Sequence, residues 1–515
     1  MLPRVLKTYN RCSINNRNIM DIMYPIRNLS QLPLIKQRAY IDGEWVCAAD
    51  ERIFTVSNPA NGEIISKVPD MDERDVELAI KAASSAFVEW KNTTAYERSR
   101  VMKKWYDLMV KHKETIAQII TLECGKPFAE SKAEVNYGNS YIEYYAEEAR
   151  RINGEILQST YPTKKYFVEK QPIGVVGLIS AYNFPLAMIT RKLAAALAAG
   201  CTCVVKPATD TPLTALAMAE LGHEAGIPKG VVNVITSSHA SNPPVVDFMC
   251  KSPDIRGISF TGSVQVGKII NEKCAPYVKR VSLELGGNAP FIVFNSADVD
   301  VAVQAAIASK FRNSGQTCVA PNRFLVQDGI YDCFVDNLIV EMRKLKMGDG
   351  SQGDVKIGPM INAAQLEKVR QLVDDAISKG ANCILGGKRA PLVGDLYYEP
   401  TVLTDVRETM KLYMEEIFGP VVSIVKFRTE EESLFIANQP DVGLAGYIFS
   451  SDISQIFRVS KNLEVGMVGV NEGIISAAEV PFGGVKKSGI GREGGHNGIE
   501  DYIDYKYVCI GNLRF

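Results

Sequence analysis

The order of segments along the chain predicts an α/β protein built on a doubly wound, Rossmann-like parallel sheet. Three observations support this fold class. Strand patterns alternate with helical patterns over much of the chain, the same alternation resumes after Glu284, and 515 residues exceed what one hydrophobic core organises. Strand–helix alternation of this length is typical of doubly wound sheets, and the length predicts two or three domains.

The first folded segments are expected to be a strand and turn near Ala39, followed by helices. From Asp72, a predicted N-cap, apolar residues recur at Val76, Ala79 and Ala83 with helical spacing. Further helices are predicted at 97–110, 114–122 and 130–151.

The strand–helix alternation itself begins at residue 174. Strands are predicted at 174–179, 203–205, 231–235 and 258–260, and helices at 191–199, 211–225 and 264–275. After Glu284 the alternation of strands and helices resumes, with strands at 291–294 and 324–326 and a helix at 299–311. Gly286 and Gly287 interrupt the pattern, so a domain boundary is predicted near residue 284.

The composition excludes several classes of protein. Hydrophobic residues make up 46% and charged residues 23%, and the net charge is −1, which gives no reason to expect a nucleic acid partner. The 11 cysteines include no C-x-x-C pair and suit a reducing compartment, and the four histidines lie far apart, so no metal site is expected. No apolar run is long enough to predict a membrane span.

The N-terminal segment has a distinctive charge pattern. Arg4, Lys7, Arg11 and Arg17 precede the first acidic residue, Asp21. Such a segment fits a mitochondrial presequence within an extension at 1–37. The alternative is a disordered tail on a cytoplasmic protein.

Cys318 is the candidate nucleophile. It follows Gly315, Gln316 and Thr317, a composition that predicts a turn, where sulfur is open to a substrate. A carboxylate, Glu284, lies upstream as a possible base, and this pairing suggests covalent catalysis through a thiohemiacetal or a thioester. The alternative is an inert buried cysteine.

A strand-to-helix turn after residue 260 is a candidate phosphate site, since a helix N-terminus offers free amides and a favourable dipole. The turn consists of Gly262, Ser263, Val264, Gln265, Val266 and Gly267. Lys206 follows another predicted strand, at the sheet edge where doubly wound folds bind ligands. The alternatives are a simple turn and a surface lysine.

Three more polar residues have both a functional and a structural interpretation. The Asn183 amide is placed to donate to a developing oxyanion, or else caps a helix. Arg191 and Arg312 each lie about two helical turns from a candidate catalytic residue. Paired guanidinium groups suit a substrate carboxylate, whereas a structural salt bridge is the alternative for each.

Together these segments resemble the aldehyde dehydrogenase superfamily, from about residue 38 to the end of the chain. Six motifs match in order and spacing, which makes the resemblance very specific. They are Asn183–Pro185, Lys206–Ala208, Phe260–Ser263, Glu284–Gly287, Gly315–Cys318 and Glu415–Pro420, and Pro481–Gly489 also fits.

Within the superfamily the chain looks most like succinate-semialdehyde dehydrogenases, which act in 4-aminobutyrate degradation. The supporting segments are Met188–Lys192, Phe311–Asn313 and Gly491–Gly494. In that subfamily, residues matching Arg191, Arg312 and Ser488 hold the substrate carboxylate. Another carboxylated aldehyde, such as glutarate semialdehyde, is the alternative substrate, and a non-catalytic family member is a second alternative.

The resemblance implies a role for each catalytic residue. Cys318 attacks the aldehyde carbon, and the Asn183 side chain and the Cys318 backbone amide stabilise the oxyanion. After hydride transfer Glu284 activates the water that hydrolyses the thioester.

The resemblance also implies a cofactor site. Lys206 and Glu416 hold the cofactor riboses, Phe418 packs near the nicotinamide, and the 262–267 turn faces the pyrophosphate. The site extends through Pro207, Ala208 and Thr209. Family members that prefer NAD often carry Glu at the position of Thr209, and a carboxylate there repels a 2′-phosphate. NADP is therefore the expected cofactor, with NAD as the second choice.

The resemblance finally implies a domain layout and an assembly. The NAD(P)-binding domain comprises 38–150 and 171–283, the catalytic domain 284–482, and a small β oligomerisation element 151–170 and 483–515. A small-molecule substrate and a homodimer or homotetramer are expected.

Overall fold

The computed structural model describes residues 34–514. The basic segment interpreted as a presequence lies outside the described residues. The strands are β1 (Ala39–Ile41), β2 (Glu44–Val46), β3 (Ile53–Ser57), β4 (Ile64–Pro69), β5 (Glu155–Leu157), β6 (Lys165–Pro172), β7 (Val175–Ile179), β8 (Thr202–Lys206), β9 (Val232–Val234), β10 (Ile255–Thr261), β11 (Arg280–Glu284), β12 (Pro290–Val293), β13 (Arg323–Gln327), β14 (Asn382–Leu385), β15 (Thr401–Thr404), β16 (Val421–Phe427), β17 (Val442–Gly443), β18 (Ala445–Phe449), β19 (Met467–Val470), β20 (Val485–Lys486), β21 (Gly489–Ile490) and β22 (Ile503–Ile510).

The α-helices include the eight predicted from the sequence and others that were not predicted. They are α1 (Glu73–Trp90), α2 (Ala95–Lys111), α3 (Lys113–Cys124), α4 (Phe128–Glu148), α5 (Ala187–Ala199), α6 (Leu213–Ala225), α7 (Asn242–Lys251), α8 (Val264–Cys274), α9 (Val299–Phe311), α10 (Tyr331–Met342), α11 (Ala363–Ser378), α12 (Lys411–Met414), α13 (Glu430–Asn438) and α14 (Ile453–Asn462). The predicted N-cap of α1 is confirmed, because the Asp72 side chain accepts a hydrogen bond from the amide of Arg74 at 2.9 Å.

The first sheet has eight strands in the order β2-β1-β9-β8-β7-β10-β11-β21. The five strands from β9 to β11 are parallel, and antiparallel strands close both edges. Alternate side chains of β7 enter two different cores: Val176 and Leu178 face one, and Val175 and Ile179 face the other. Helices therefore cover both faces, and the predicted doubly wound sheet is confirmed.

The second sheet has seven strands in the order β14-β15-β16-β13-β12-β18-β19, of which only β14 is antiparallel. In β12, Phe291 and Val293 face one core, whereas Ile292 faces another. This is the second α/β unit that the sequence predicts, and its strands start after Glu284.

A third sheet joins β5, β6 and β22 in the order β22-β6-β5, so segments near 155–172 and 503–510 pair. The C-terminal segment 483–515 does not lie in this sheet alone. Its strand β21 pairs with β11 of the first sheet, and β20 pairs with β17. A Cβ atom on Gly489 would lie 2.0 Å from the Leu283 carbonyl oxygen, so glycine permits this close pairing.

No helix within residues 34–514 combines the length and the apolar character needed to cross a membrane.

Candidate active site

A cavity of about 330 Å³ opens at the carboxyl ends of the parallel strands of the first sheet. Ile179, Lys206, Thr261 and Glu284 are the last residues of β7, β8, β10 and β11. Ile179 lies opposite Lys206, and Thr261 lies opposite Glu284, in the strand register. All four side chains line the cavity, which is where doubly wound sheets bind ligands.

The loop that carries Cys318 follows α9 and has an unusual backbone. Asn313, Ser314 and Gly315 have φ values of 50°, 54° and 77°, three successive residues in the left-handed region. A Cβ atom on Gly315 would lie 2.2 Å from the carbonyl oxygen of Gly419. Only glycine fits there, so the loop is held in a strained form next to a candidate nucleophile.

The buried side-chain amide of Gln316 stabilises this loop through hydrogen bonds. Its nitrogen donates to the carbonyl oxygens of Asn313 and Pro359, both at 3.2 Å. Its oxygen accepts from the Tyr182 hydroxyl at 3.1 Å and from the Ile361 amide at 3.0 Å. A fully satisfied buried amide fixes the loop geometry two residues before Cys318.

Cys318 and Glu284 lie together in the cavity wall. Burial, together with the negative charge of Glu284, raises the pKa of the Cys318 thiol well above its ordinary value. Burial also raises the pKa of the Glu284 carboxyl. Neither carboxyl oxygen has a conventional hydrogen-bond partner among residues 34–514, and the Arg191 guanidinium lies 3.9 Å away. A buried carboxyl with free lone pairs beside a thiol is suited to accept protons.

Asn183 lines the same wall. Its side-chain nitrogen donates to the Gln316 carbonyl oxygen at 3.0 Å, which leaves its second N–H for another acceptor. Its backbone carbonyl accepts from the Lys126 ammonium at 2.7 Å and from the side-chain nitrogen of Asn313 at 3.0 Å. The bond to Gln316 holds the side chain in the cavity wall that also contains Cys318. Asn183 does not cap α5, which begins only at Ala187 and has no side-chain cap.

The far part of the cavity fits a nucleotide cofactor. The buried Lys206 ammonium donates one described hydrogen bond, to the Pro207 carbonyl oxygen at 3.0 Å, and burial lowers its pKa to about 7. The Ser180 hydroxyl, which also lines the cavity, has no hydrogen-bond partner among the described residues. Unsatisfied buried donors at the end of a parallel sheet suit the hydroxyls and phosphates of a dinucleotide.

The strand-to-helix turn presents three of its six predicted residues to the cavity: Gly262, Ser263 and Val266. Ser263 is the N-cap of α8 and accepts from the Val266 amide at 3.3 Å. Val264, Gln265 and Gly267 do not line the cavity. A Cβ on Gly267 would lie 2.5 Å from the Leu285 side chain, so this glycine serves helix–sheet packing.

Glu416 and Phe418, from the loop between α12 and β16, also line the cavity. The Glu416 carboxylate accepts from the Gly287 amide at 3.1 Å, and burial raises its pKa to about 7. The Phe418 ring makes an edge contact with Tyr182 at 6.1 Å between centroids. On the opposite side Ala208 and Thr209 line the cavity and Pro207 does not.

Neither Arg191 nor Arg312 is among the residues that line the cavity, although the Arg191 guanidinium lies 3.9 Å from Glu284. Arg191 also forms a structural ion pair. Its Nε donates to Glu493 at 2.6 Å, and its guanidinium stacks on the Phe482 ring at 4.1 Å. Glu493 also pairs with Lys192. Arg312 differs, because its buried Nε has no partner among the described residues and its guanidinium lies 5.1 Å from the Phe184 ring. Arg312 therefore retains a free donor for an anion.

Ser488, the third residue predicted to hold the substrate carboxylate, forms hydrogen bonds to the backbone through its hydroxyl. Its side chain is fully buried, its hydroxyl donates to the Gly286 carbonyl oxygen at 2.8 Å, and it accepts from the Gly443 amide at 2.8 Å. A hydroxyl has a single proton, so none remains for a substrate carboxylate. Ser488 ties Gly286 to β17 and supports the backbone beside Glu284.

Sequence reasoning missed several residues of the cavity wall. Asp210 and His239 lie at one end, and Gln365 and Lys368 reach in from α11. Asp210 directly follows the Lys206–Thr209 segment, so its position in the sequence could have identified it. The two α11 residues come from a surface helix with an ordinary amphipathic pattern, which carries no signal of a site.

The comparisons with known proteins agree with this geometry. The model of the aldehyde dehydrogenase family matches residues 45–508. A mitochondrial succinate-semialdehyde dehydrogenase of Arabidopsis thaliana is 51% identical over 495 residues, covering 96% of this chain and 93% of that protein. A glutarate-semialdehyde dehydrogenase of Pseudomonas aeruginosa is 47% identical over 485 residues, covering 94% of this chain and 100% of that protein.

A solved structure extends the similarity to three dimensions. The crystal structure of an NADP-dependent enzyme of E. coli superposes with a TM-score of 0.92 at 48% sequence identity, covering 94% of this chain and 100% of the other. A family model that spans nearly the whole folded part and relatives near half identity leave no ambiguity about ancestry. The chain belongs to the aldehyde dehydrogenase family.

Proposed function

We propose that this chain oxidises succinate semialdehyde to succinate, with NADP or NAD as the oxidant and water as the final acceptor. The observation that carries the proposal is the wall formed by Cys318, Glu284 and Asn183, which adjoins a cofactor-sized cavity. The similarity to succinate-semialdehyde dehydrogenases, at about half identity over nearly the whole chain, supports the choice of substrate and a role in 4-aminobutyrate degradation.

In the first half of the reaction Cys318 acts as the nucleophile. Its thiol gives its proton to Glu284, the sulfur bonds to the aldehyde carbon, and the carbonyl electron pair moves to oxygen. The free N–H of Asn183 and the Cys318 backbone amide stabilise that oxyanion. A bound nicotinamide supplies the oxidation by accepting the hydride.

In the second half the thioester on Cys318 is hydrolysed. Glu284, having released the thiol proton to solvent, takes a proton from water as the water oxygen attacks the acyl carbon. The C–S bond then breaks, the acid is released, and the Cys318 thiolate regains a proton from Glu284. The raised pKa of the Glu284 carboxyl makes it a stronger base than an ordinary carboxylate.

Arg312 and Arg191 are proposed to hold the substrate carboxylate. Arg312 offers an unpartnered buried Nε, and Arg191 is fixed beside Glu284 by its ion pair with Glu493. The similarity to a glutarate-semialdehyde dehydrogenase makes the longer semialdehyde the second candidate substrate. One methylene changes binding by only about 1–3 kcal/mol.

NADP is proposed as the preferred cofactor, because neutral Thr209 next to Lys206 lacks the carboxylate that would repel a 2′-phosphate. A mitochondrial location is proposed from the basic N-terminal segment and from the similarity to mitochondrial succinate-semialdehyde dehydrogenases. Assembly into a homodimer or homotetramer through the β5-β6-β22 sheet is also proposed, since strand β22 is an edge strand.

The test is an assay of the purified full-length protein with succinate semialdehyde and each cofactor, followed by absorbance near 340 nm. Cys318→Ala is expected to lower turnover more than about 10³-fold. Cys333→Ala is the matched control, because Cys333 is an exposed thiol on α10 and should leave turnover unchanged. Turnover retained by Cys318→Ala would refute the covalent route.

A further inference from the structure

A histidine–aspartate pair stands at one end of the cavity and has no part in the chemistry described above. The Nε2 atom of His239 lies 3.4 Å from the Asp210 carboxylate, and both residues line the cavity. The His239 side chain is 69% exposed, whereas Asp210 is 25% exposed. Their charges therefore act on whatever occupies this end of the cavity.

The pair belongs to the loops that follow two adjacent parallel strands. Asp210 follows β8 and His239 follows β9, and a hydrogen bond of 3.0 Å from the Thr209 hydroxyl to the Ser237 carbonyl joins the two loops. Lys206, the last residue of β8, lies on the same wall. A cofactor ribose held by Lys206 would therefore share the cavity with Thr209, Asp210 and His239.

We propose that protonated His239 binds the 2′-phosphate of NADP, so that the choice between NADP and NAD depends on pH. The inference rests on the proposed function, because it requires a nicotinamide dinucleotide in this cavity. Three charged or titratable groups decide whether the preference for NADP rises or falls with pH: His239 itself, Asp210 and Lys206.

Because of Asp210, the pair favours NADP when His239 is protonated and NAD when His239 is neutral. When His239 is charged it neutralises Asp210 and attracts a phosphate dianion. When His239 is neutral, Asp210 is unopposed, repels the 2′-phosphate and accepts a hydrogen bond from the 2′-hydroxyl of NAD. The Asp210 hydrogen bond raises the pKa of His239, whereas the charge of Lys206 opposes this shift. Preference for NADP is lost as the pH rises through that pKa.

The experiment measures binding, so it does not depend on turnover. The full-length protein is titrated calorimetrically with 2′,5′-ADP and with 5′-AMP, at about pH 6 and about pH 8.5. For the unaltered protein the preference for 2′,5′-ADP should fall roughly tenfold between these values, as expected for one charge near a phosphate.

Three variants isolate His239 from the titration of the 2′-phosphate itself, whose second pKa is about 6. His239→Gln should bind 2′,5′-ADP weakly at both pH values, and His239→Lys should retain the preference at both. Asp210→Asn should strengthen 2′,5′-ADP binding most at the higher pH. Because His239 is exposed, its two substitutions should leave the melting temperature unaltered.

The inference is overturned if His239→Gln keeps the pH dependence of the unaltered protein, or if neither nucleotide binds. A pH-dependent preference for 2′,5′-ADP without oxidation of succinate semialdehyde would instead contradict the proposed substrate and leave the role of His239 standing.

Discussion

Arg191 Nε donates to Glu493 Oε2 at 2.6 Å, in an interior where the arginine is only 1% exposed. The two residues come from α5 and from the turn after β21, 302 residues apart in the chain. Lys192 donates to the other carboxylate oxygen of Glu493 and, at 2.5 Å, to the Thr261 hydroxyl. A buried charge cluster thus joins the C-terminal segment to the sheet edge that carries Glu284.

Arg191→Met is expected to destabilise the fold by about 3 kcal/mol, because it leaves the buried Glu493 carboxylate with only Lys192 as a counter-charge. The measurement is the free energy of unfolding in urea. Arg312→Met is the matched control and should cost about 1 kcal/mol or less, since Arg312 forms no described ion pair within residues 34–514. Equal losses would contradict a structural role specific to Arg191.

Arg312→Met is expected to weaken use of a carboxylated substrate selectively. Loss of a hydrogen bond to a charged group is worth about 1.5–3 kcal/mol, so KM for succinate semialdehyde should rise roughly 10- to 100-fold. KM for butyraldehyde, which lacks the carboxylate, should change little. Butyraldehyde is thus the control substrate. An equal rise in both KM values would show that Arg312 does not bind the substrate carboxylate.

Glu284→Gln is expected to lower the pKa of Cys318. Burial and the Glu284 charge raise the pKa of this thiol, so removal of the carboxylate makes ionisation easier. The unaltered thiol should therefore react with iodoacetamide only as the pH rises above the ordinary thiol value of about 8.5, and the Glu284→Gln profile should shift to lower pH.

Alkylation of the Cys318 peptide is followed by mass spectrometry, because Cys47, Cys333, Cys383 and Cys509 are exposed and react independently. Those four peptides are the internal reference and should show the same profile in both proteins. A Cys318 profile that stays in place in Glu284→Gln would show that the carboxylate does not act on the thiol.

The strand end at Lys206 could be predicted from sequence because the signal is local: the apolar residues Cys203–Val205 directly precede it. The strand that ends at Glu284 was not predicted, because β11 mixes charged, polar and apolar residues. The hydrogen bonds of Arg191 and Ser488 could not be predicted, because their partners are distant in the chain. The partner is Glu493 for the arginine, and Gly286 and Gly443 for the serine. A side chain's type shows which bonds it can form, whereas only the fold shows which ones it has formed.

Gly315→Ala tests the backbone strain under the nucleophile. The position has φ of 77°, and the added Cβ would lie 2.2 Å from the Gly419 carbonyl oxygen. The left-handed conformation alone costs about 1–2 kcal/mol for a residue with a side chain, and the backbone contact adds to it. The expected result is a loss of at least about 2 kcal/mol in the free energy of unfolding, with a lower kcat, because the loop must shift and move Cys318 away from Asn183.

Gly353→Ala is the matched control, since a Cβ there meets no described atom within 4 Å and should change neither quantity. If Gly315→Ala kept full stability and kcat, the loop would not need its left-handed backbone to present the sulfur.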